Sequence, residues 1–300
     1  MSKEITVADF FKNVEQAEYP LYPQQRLPLK TLLEDHSAPL QPLAAQIAQP
    51  ILDANEKRRE NLDYNFHYGR LWRVISHAIQ QMTSQIDRIV DVVVAISQTP
   101  DPTDYLAFMQ DINEEWNEFA MGFDMPQPDD PNRGRVRQAW INMNAFNARL
   151  STKGIERLNY RLRSGHVFRI ALEETPWEQY HIPEIDEEIE SDPEDEDNVA
   201  LRDELLNKRD IRRLNYWAPA AAAWIKYDGK GIHEMDEPMI GDDYDNFEYT
   251  NWKGKGFSKE RFHYWRERLE WVSKVTALDH DTRRRAAEAV ELMKQIEGGS

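Results

Sequence analysis

The sequence predicts an all-α fold, a multi-helix bundle or helical array forming a single large domain with an acidic loop. Three observations carry the prediction. Apolar residues recur at steps of three and four through much of the 300-residue chain, which is the period of a buried helix face. Arg133 to Glu174 reads as a helix pair, and a second pair, led by Ser258 and Asp279 as caps, closes the sequence.

From Thr6, a capping residue, Val7, Phe10, Phe11 and Val14 mark a short amphipathic helix. Tyr19 to Pro28 reads as a proline and aromatic turn region, with a second short helix over Leu29 to Glu34. Leu43, Ile47, Ile51 and Leu52 resume the helical period, and Pro50 within that series is expected to bend or restart the helix. Leu62, Phe66, Leu71, Trp72, Ile75 and Ile79 extend one helix across Gly69. Gln85 to Ser97 is rich in β-branched residues, which leaves a strand as the alternative, but Ile86, Ile89/Val90, Val93/Val94 and Ser97 repeat at helical spacing. Leu106, Met109, Ile112, Trp116 and Phe119 give the next helix, and Met125 to Pro131 is a proline and aspartate loop.

In the central pair, Val136, Ala139, Trp140, Met143, Phe146 and Leu150 form one apolar line. Asn142, Asn144 and Asn147 interrupt it. Buried amides left unpaired are costly, so Asn144 and Asn147, close to the line, either reach solvent at its edge or bond across to another helix. Gly154 suits a left-handed cap, and Leu158, Leu162, Gly165, Phe168 and Leu172 return as the second arm of an antiparallel hairpin. Arg133, Arg135 and Arg137 oppose the macrodipole at the start of the first arm, so carboxylate partners are expected. The stretch from Asp101 to Asp130 holds nine acidic residues and no lysine or arginine, and could supply them.

Glu184 to Asp197 contains ten acidic residues and reads as a loop or linker, which allows subdomains 1–183 and 198–300 within one helical domain spanning 1–300. Val199 to Ile225 is helical with an interruption at Pro219, and Tyr227 to Gly256 shows turns without a helical period. Phe262, Trp265, Leu269 and Val272, then Ala286, Ala289/Val290, Met293 and Ile296, are the buried lines of the last two helices.

A formal net charge of -17 disfavours general nucleic-acid binding, which needs a cationic footprint. The chain has no cysteine, which removes disulfides, thiol catalysis and cysteine metal sites and fits a reducing compartment. No signal-peptide pattern and no apolar run of about 18 residues is present, so an intracellular, cytoplasmic location without a transmembrane segment is expected.

Two Glu-x-x-His pairs, Glu178 with His181 and Glu260 with His263, have the residue types that di-iron carboxylate bundles use on adjacent turns. Roughly one such pair arises by chance at this composition, and no second pair of glutamate ligands is evident. No metal site is favoured and no cofactor is expected. The HExxH, GxSxG and GxGxxG signatures are missing, as are the spacing of a calcium loop and of a phosphate-binding glycine loop.

The segments AWINMNAFNARL, FRIALEE and FHYWRERLEWV, with the alanine-rich helix that follows, resemble an uncharacterised fungal family of helical proteins of unknown function (DUF3632) from about Leu62 onward. Trp140, Asn142, Asn144, Phe146, Arg149, Leu150 and the step Ala171, Leu172, Glu173 carry the resemblance. It implies one helical fold and a fungal source, and no catalytic residue. Two functions fit. The first is a non-enzymatic interaction or scaffold module, whose nine tryptophans would serve packing and partner contact across an exposed aromatic patch or a groove. The alternative is a small-molecule binding protein or cofactor-independent enzyme, with Trp140, Asn144, Asn147, Arg149 and His166 as the candidate pocket or polar network.

Overall fold

The computed structural model describes residues 4–17, 21–60, 67–99, 114–121, 126, 130–173, 210–239 and 251–299. Among them every regular element is helical, and the chain divides into two compact units, Met1–Asn159 and Tyr160–Ser300. The division falls ahead of the acidic run at 184–197, which lies outside the described residues together with the stretch 101–113. The first unit holds α1 (Val7–Gln16), α2 (Pro23–Glu34), α3 (Leu40–Glu60), α4 (His67–Gln81), α5 (Ile86–Ser97) and α6 (Arg133–Ser151), with a further helical stretch at 114–120.

The first unit is built around α5. This helix buries Ile86, Ile89, Val90, Val92, Val93, Ala95, Ile96 and Ser97 and packs against α2, α3, α4 and α6. Its β-branched richness therefore reflects burial on most sides of a helix, not a strand. Each such side chain contributes about 1.5–3 kcal/mol by leaving water. Arg88, on its polar side, donates to the carbonyls of Leu32 (2.8 Å) and Ala38 (3.3 Å), so α5 also closes the end of α2.

Two expectations about proline are corrected. α2 begins at Pro23, six residues before the expected Leu29, and α3 runs without a restart through Pro50. Proline is well placed at a first helical position, where its missing N–H is not needed. Pro28 and Pro50 lie inside their helices and each removes one i→i−4 bond, a loss that the packing of α2 on α3 outweighs.

The second unit contains α7 (Leu162–Phe168), which passes directly into a π turn at Arg169–Glu173, then α8 (Leu214–His233), α9 (Lys259–Lys274) and α10 (His280–Gly298). The two arms expected to form one hairpin thus belong to different units, with α6 in the first and α7 in the second. Gly154 has the positive φ, +70°, of a left-handed cap. The return arm is divided into a 3-10 turn at Glu156–Leu158, α7 and the π turn. Gly165 is a packing glycine: a Cβ there would stand 2.8 Å from Met239 Cε and 3.0 Å from Phe257 Cζ.

α8 is not interrupted at Pro219 and continues through Tyr227 to His233, where the sequence shows no helical period. Its break comes at Asp228 (φ −145°, ψ 23°). Asp228 is buried and takes both Nε (2.6 Å) and Nη2 (3.1 Å) of Arg161, so the ion pair holds the kink. Burial raises the Asp228 carboxyl above its ordinary value, and the hydrogen bond from Arg161 acts in the opposite direction. Gly231 leaves the room for this pair, because a Cβ there would lie 2.4 Å from Asp228 Oδ1 and 2.6 Å from Arg161 Nε. Gly231→Ala is expected to separate the pair and to destabilise the second unit by about 2 kcal/mol, the cost of an uncompensated buried carboxylate less the helix propensity gained. Urea denaturation followed by circular dichroism measures it.

α9 and α10 pack on one another and α10 packs on α8. Ser258 caps α9 by accepting from Arg261 N (3.1 Å). Asp279 holds the cap position of α10 without a side-chain cap bond, and its N–H donates instead to Asn215 Oδ1 (2.9 Å). Arg284 and Arg285 pair with Asp281 in the first turn of α10.

Candidate functional site

α6 is buried on nearly every side from Ala139 to Ser151, beyond the single apolar line that the sequence shows. Its three asparagines differ. Asn142 Oδ1 accepts from Gln138 (2.8 Å) and from Thr83 Oγ1 (3.1 Å), and its Nδ2 donates to the carbonyl of Gln80 (3.1 Å). It satisfies a carbonyl in the last turn of α4. Asn144 Nδ2 turns back to the carbonyl of Trp140 (2.9 Å) within its own helix. Asn147 is 0% exposed, and neither side-chain polar atom has a hydrogen-bond partner among the described residues.

The remaining sequence candidates are held by neighbours. Trp140 is fully buried against Phe119, with ring centroids 5.9 Å apart, and Trp116, at 5.7 Å. Arg149 pairs with Asp87 of α5, one turn from Lys153 and Asp91 (2.9 Å). Trp140, Asn144, Asn147 and Arg149 share α6, whereas His166 belongs to the second unit and stands edge-on to Trp217. Asn147→Leu replaces an unpaired buried amide by an apolar group of the same branching, and is expected to raise the unfolding free energy by about 1 kcal/mol. A matched pair of urea titrations reads that change.

The second unit has a buried ionic centre that the sequence does not reveal. Glu173, fully buried in the π turn, accepts two parallel bonds from Arg261 Nε and Nη2 (both 2.8 Å) and one from Trp265 Nε1. Arg261 Nη1 donates to the carbonyl of Gly256 (2.8 Å). The carboxylate and guanidinium are thus paired with partners on several sides, the arrangement of a structural centre. Nearby in sequence, burial pushes the Tyr160 phenol up to about 12 and the Arg163 guanidinium down to about 10, with Arg163 stacked 4.2 Å from the Tyr160 ring centre.

Glu260 and His263 of the di-iron motif are exposed on α9, where His263 Nδ1 lies 3.1 Å from Glu297 Oε1. Glu178 and His181 lie outside the described residues. Among the described residues no group of three or more His, Asp or Glu is placed to hold a metal, and no helix is long and apolar enough to cross a membrane.

An open feature does occur in the first unit. α2 and α3 enclose a cleft of about 580 Å³ lined by Tyr22, Pro23, Gln24, Leu27, Pro28, Gln46, Gln49, Pro50 and Asp53. Leu27 is 58% exposed at this cleft, while Gln25, fully buried, ties the two helices by donating to the carbonyl of Ile47 (3.2 Å). The volume falls within the range of ligand clefts. The prolines and aromatics of Tyr19 to Pro28 suggest a turn and so conceal the cleft; the signal for the helix is Pro23, a first-turn proline followed by Leu29, Leu32 and Leu33 at helical spacing.

Residues 72–269 match the family described as a protein of unknown function (DUF3632). The chain belongs to that family. The DUF3632 match begins within α4, ends within α9 and includes α5, α6, the π turn and both members of the Glu173 and Arg261 pair. The α2–α3 cleft precedes the DUF3632 stretch. Comparisons with curated proteins and with solved structures gave no match.

Proposed function

We propose that this DUF3632 protein is a non-enzymatic interaction module that docks a partner in the α2–α3 cleft. The observation that carries the reading is the cleft itself, which combines exposed Leu27 with an apolar floor and amide side chains. The sequence candidates on α6 support it indirectly, since Trp140, Asn144 and Arg149 are engaged in packing and pairing. Trp72, Trp116, Trp140, Trp217, Trp224 and Trp265 are buried, so these tryptophans serve the core and a groove replaces the expected aromatic patch. The proposal places the protein inside a fungal cell: the resemblance supplies the source, and the lack of cysteine fits a reducing compartment.

Site-specific photo-cross-linking tests this. With benzoyl-phenylalanine at position 27, a discrete adduct with one partner protein is expected in cells, and the same group at exposed Lys12 of α1 gives none. Adducts of equal yield from both positions, or none from position 27, would overturn the proposal.

A further inference from the structure

Two backbone carbonyls in the helices of the α2–α3 cleft lack their usual N–H donors. Pro28 has no N–H to give the carbonyl of Gln24, and Pro50 has none for the carbonyl of Gln46, because each proline stands four residues beyond that carbonyl inside a helix. Both glutamines and both prolines line the cleft. Asp53 is the single charged residue that lines it among the described residues. Among the described residues Asp53 has one hydrogen-bond partner, Gln49 Nε2 at 2.7 Å, and no cation. The basic groups of α2 are already matched, Arg26 with Glu15 (3.3 Å) and Lys30 with Glu34 (3.7 Å). Arg70 lies 5.4 Å from the centre of the Tyr22 ring, so that ring already has a guanidinium of this chain beside it and the cation of an occupant falls to Asp53.

We infer that the cleft takes a basic, extended segment of a partner protein, with an arginine or lysine on Asp53 and an adjacent apolar side chain against Leu27. The inference rests on the docking role of the cleft and adds the chemistry of its occupant. Charge complementarity selects the occupant: a carboxylate with no cation partner among the described residues, in a cleft whose two helices each carry a carbonyl without its usual N–H donor, attracts a group that carries several N–H donors and a positive charge. The glutamine amides supply both donors and acceptors for the backbone of an extended chain.

Selection of a displayed library of random heptapeptides on the full-length protein tests this, with Leu27→Ser and Asp53→Asn as counter-targets. Both positions are exposed, so both variants are expected to fold, and circular dichroism confirms it. The expected result is a set of peptides enriched in arginine or lysine next to an apolar residue. Their binding is weakened about tenfold or more by Leu27→Ser, the loss of an apolar contact, and about tenfold by Asp53→Asn, the size of one charge-assisted hydrogen bond. Peptides that depend on Leu27 but are neutral or acidic, and indifferent to Asp53→Asn, would overturn the inference and leave docking at the cleft standing. If no recovered peptide depends on Leu27, both fail.

Discussion

Glu173→Ala is expected to destabilise the second unit by about 3–5 kcal/mol, because it leaves the Arg261 guanidinium buried without its carboxylate. Arg261 is 2% exposed and cannot recover the loss from water without opening the packing of Phe257, Phe262 and Trp265. Trp265 Nε1 loses an acceptor in the same step. The double variant Glu173→Leu with Arg261→Met is expected to cost far less than the sum of the two single changes, since an apolar pair needs no compensation. Urea titrations of the four proteins complete the cycle, and additive losses would show that the pair is not coupled.

Trp140→Ala carries the second large effect, about 3–5 kcal/mol in the first unit. Its indole is fully buried in the middle of α6 and meets Trp116 and Phe119, so truncation leaves a cavity between packed rings. Trp140→Phe retains most of the apolar area and is expected to cost less than half as much. Thermal unfolding distinguishes this core role from that of a pocket wall. A wall residue facing a ligand space would tolerate truncation, with a loss under about 1 kcal/mol.

Helical periodicity made the fold class legible, since it depends on neighbours three and four residues apart. Phe10, Phe11 and Val14, then Phe262, Trp265, Leu269 and Val272, are buried along the lines their spacing defines. Helices buried on many sides were less legible. α6 shows one apolar line in sequence, yet Asn142, Asn144 and Asn147 are also buried, and Gln80 and Thr83 supply Asn142 with partners that spacing along α6 does not disclose. The Glu173 and Arg261 pair was hidden for the same reason, as its members stand 88 positions apart. Local rules also misled. Pro28 reads as the end of a turn and Tyr227 to Gly256 as a stretch without a helix, whereas α2 carries its proline within a packed helix and α8 turns a kink on the pair of Asp228 with Arg161.

The candidate site shows the same division. The residues chosen on α6 were recognised for being unusual in a helix, and unusual residues in a core serve register and packing as readily as binding. The cleft is made by α2 and α3 together, from two internal prolines that local reading treats as breaks. Its chemistry depends on N–H groups that proline lacks, a feature written in the sequence but meaningful only once both helices are seen to continue.

The most direct test of the docking role is an amide NMR spectrum of the full-length, isotope-labelled protein during titration with a basic peptide recovered by the selection. The predicted result is a set of shifts centred on residues 24–29 and 46–53, with those of 139–151 unchanged. Shifts centred on α6, with α2 and α3 silent, would contradict it.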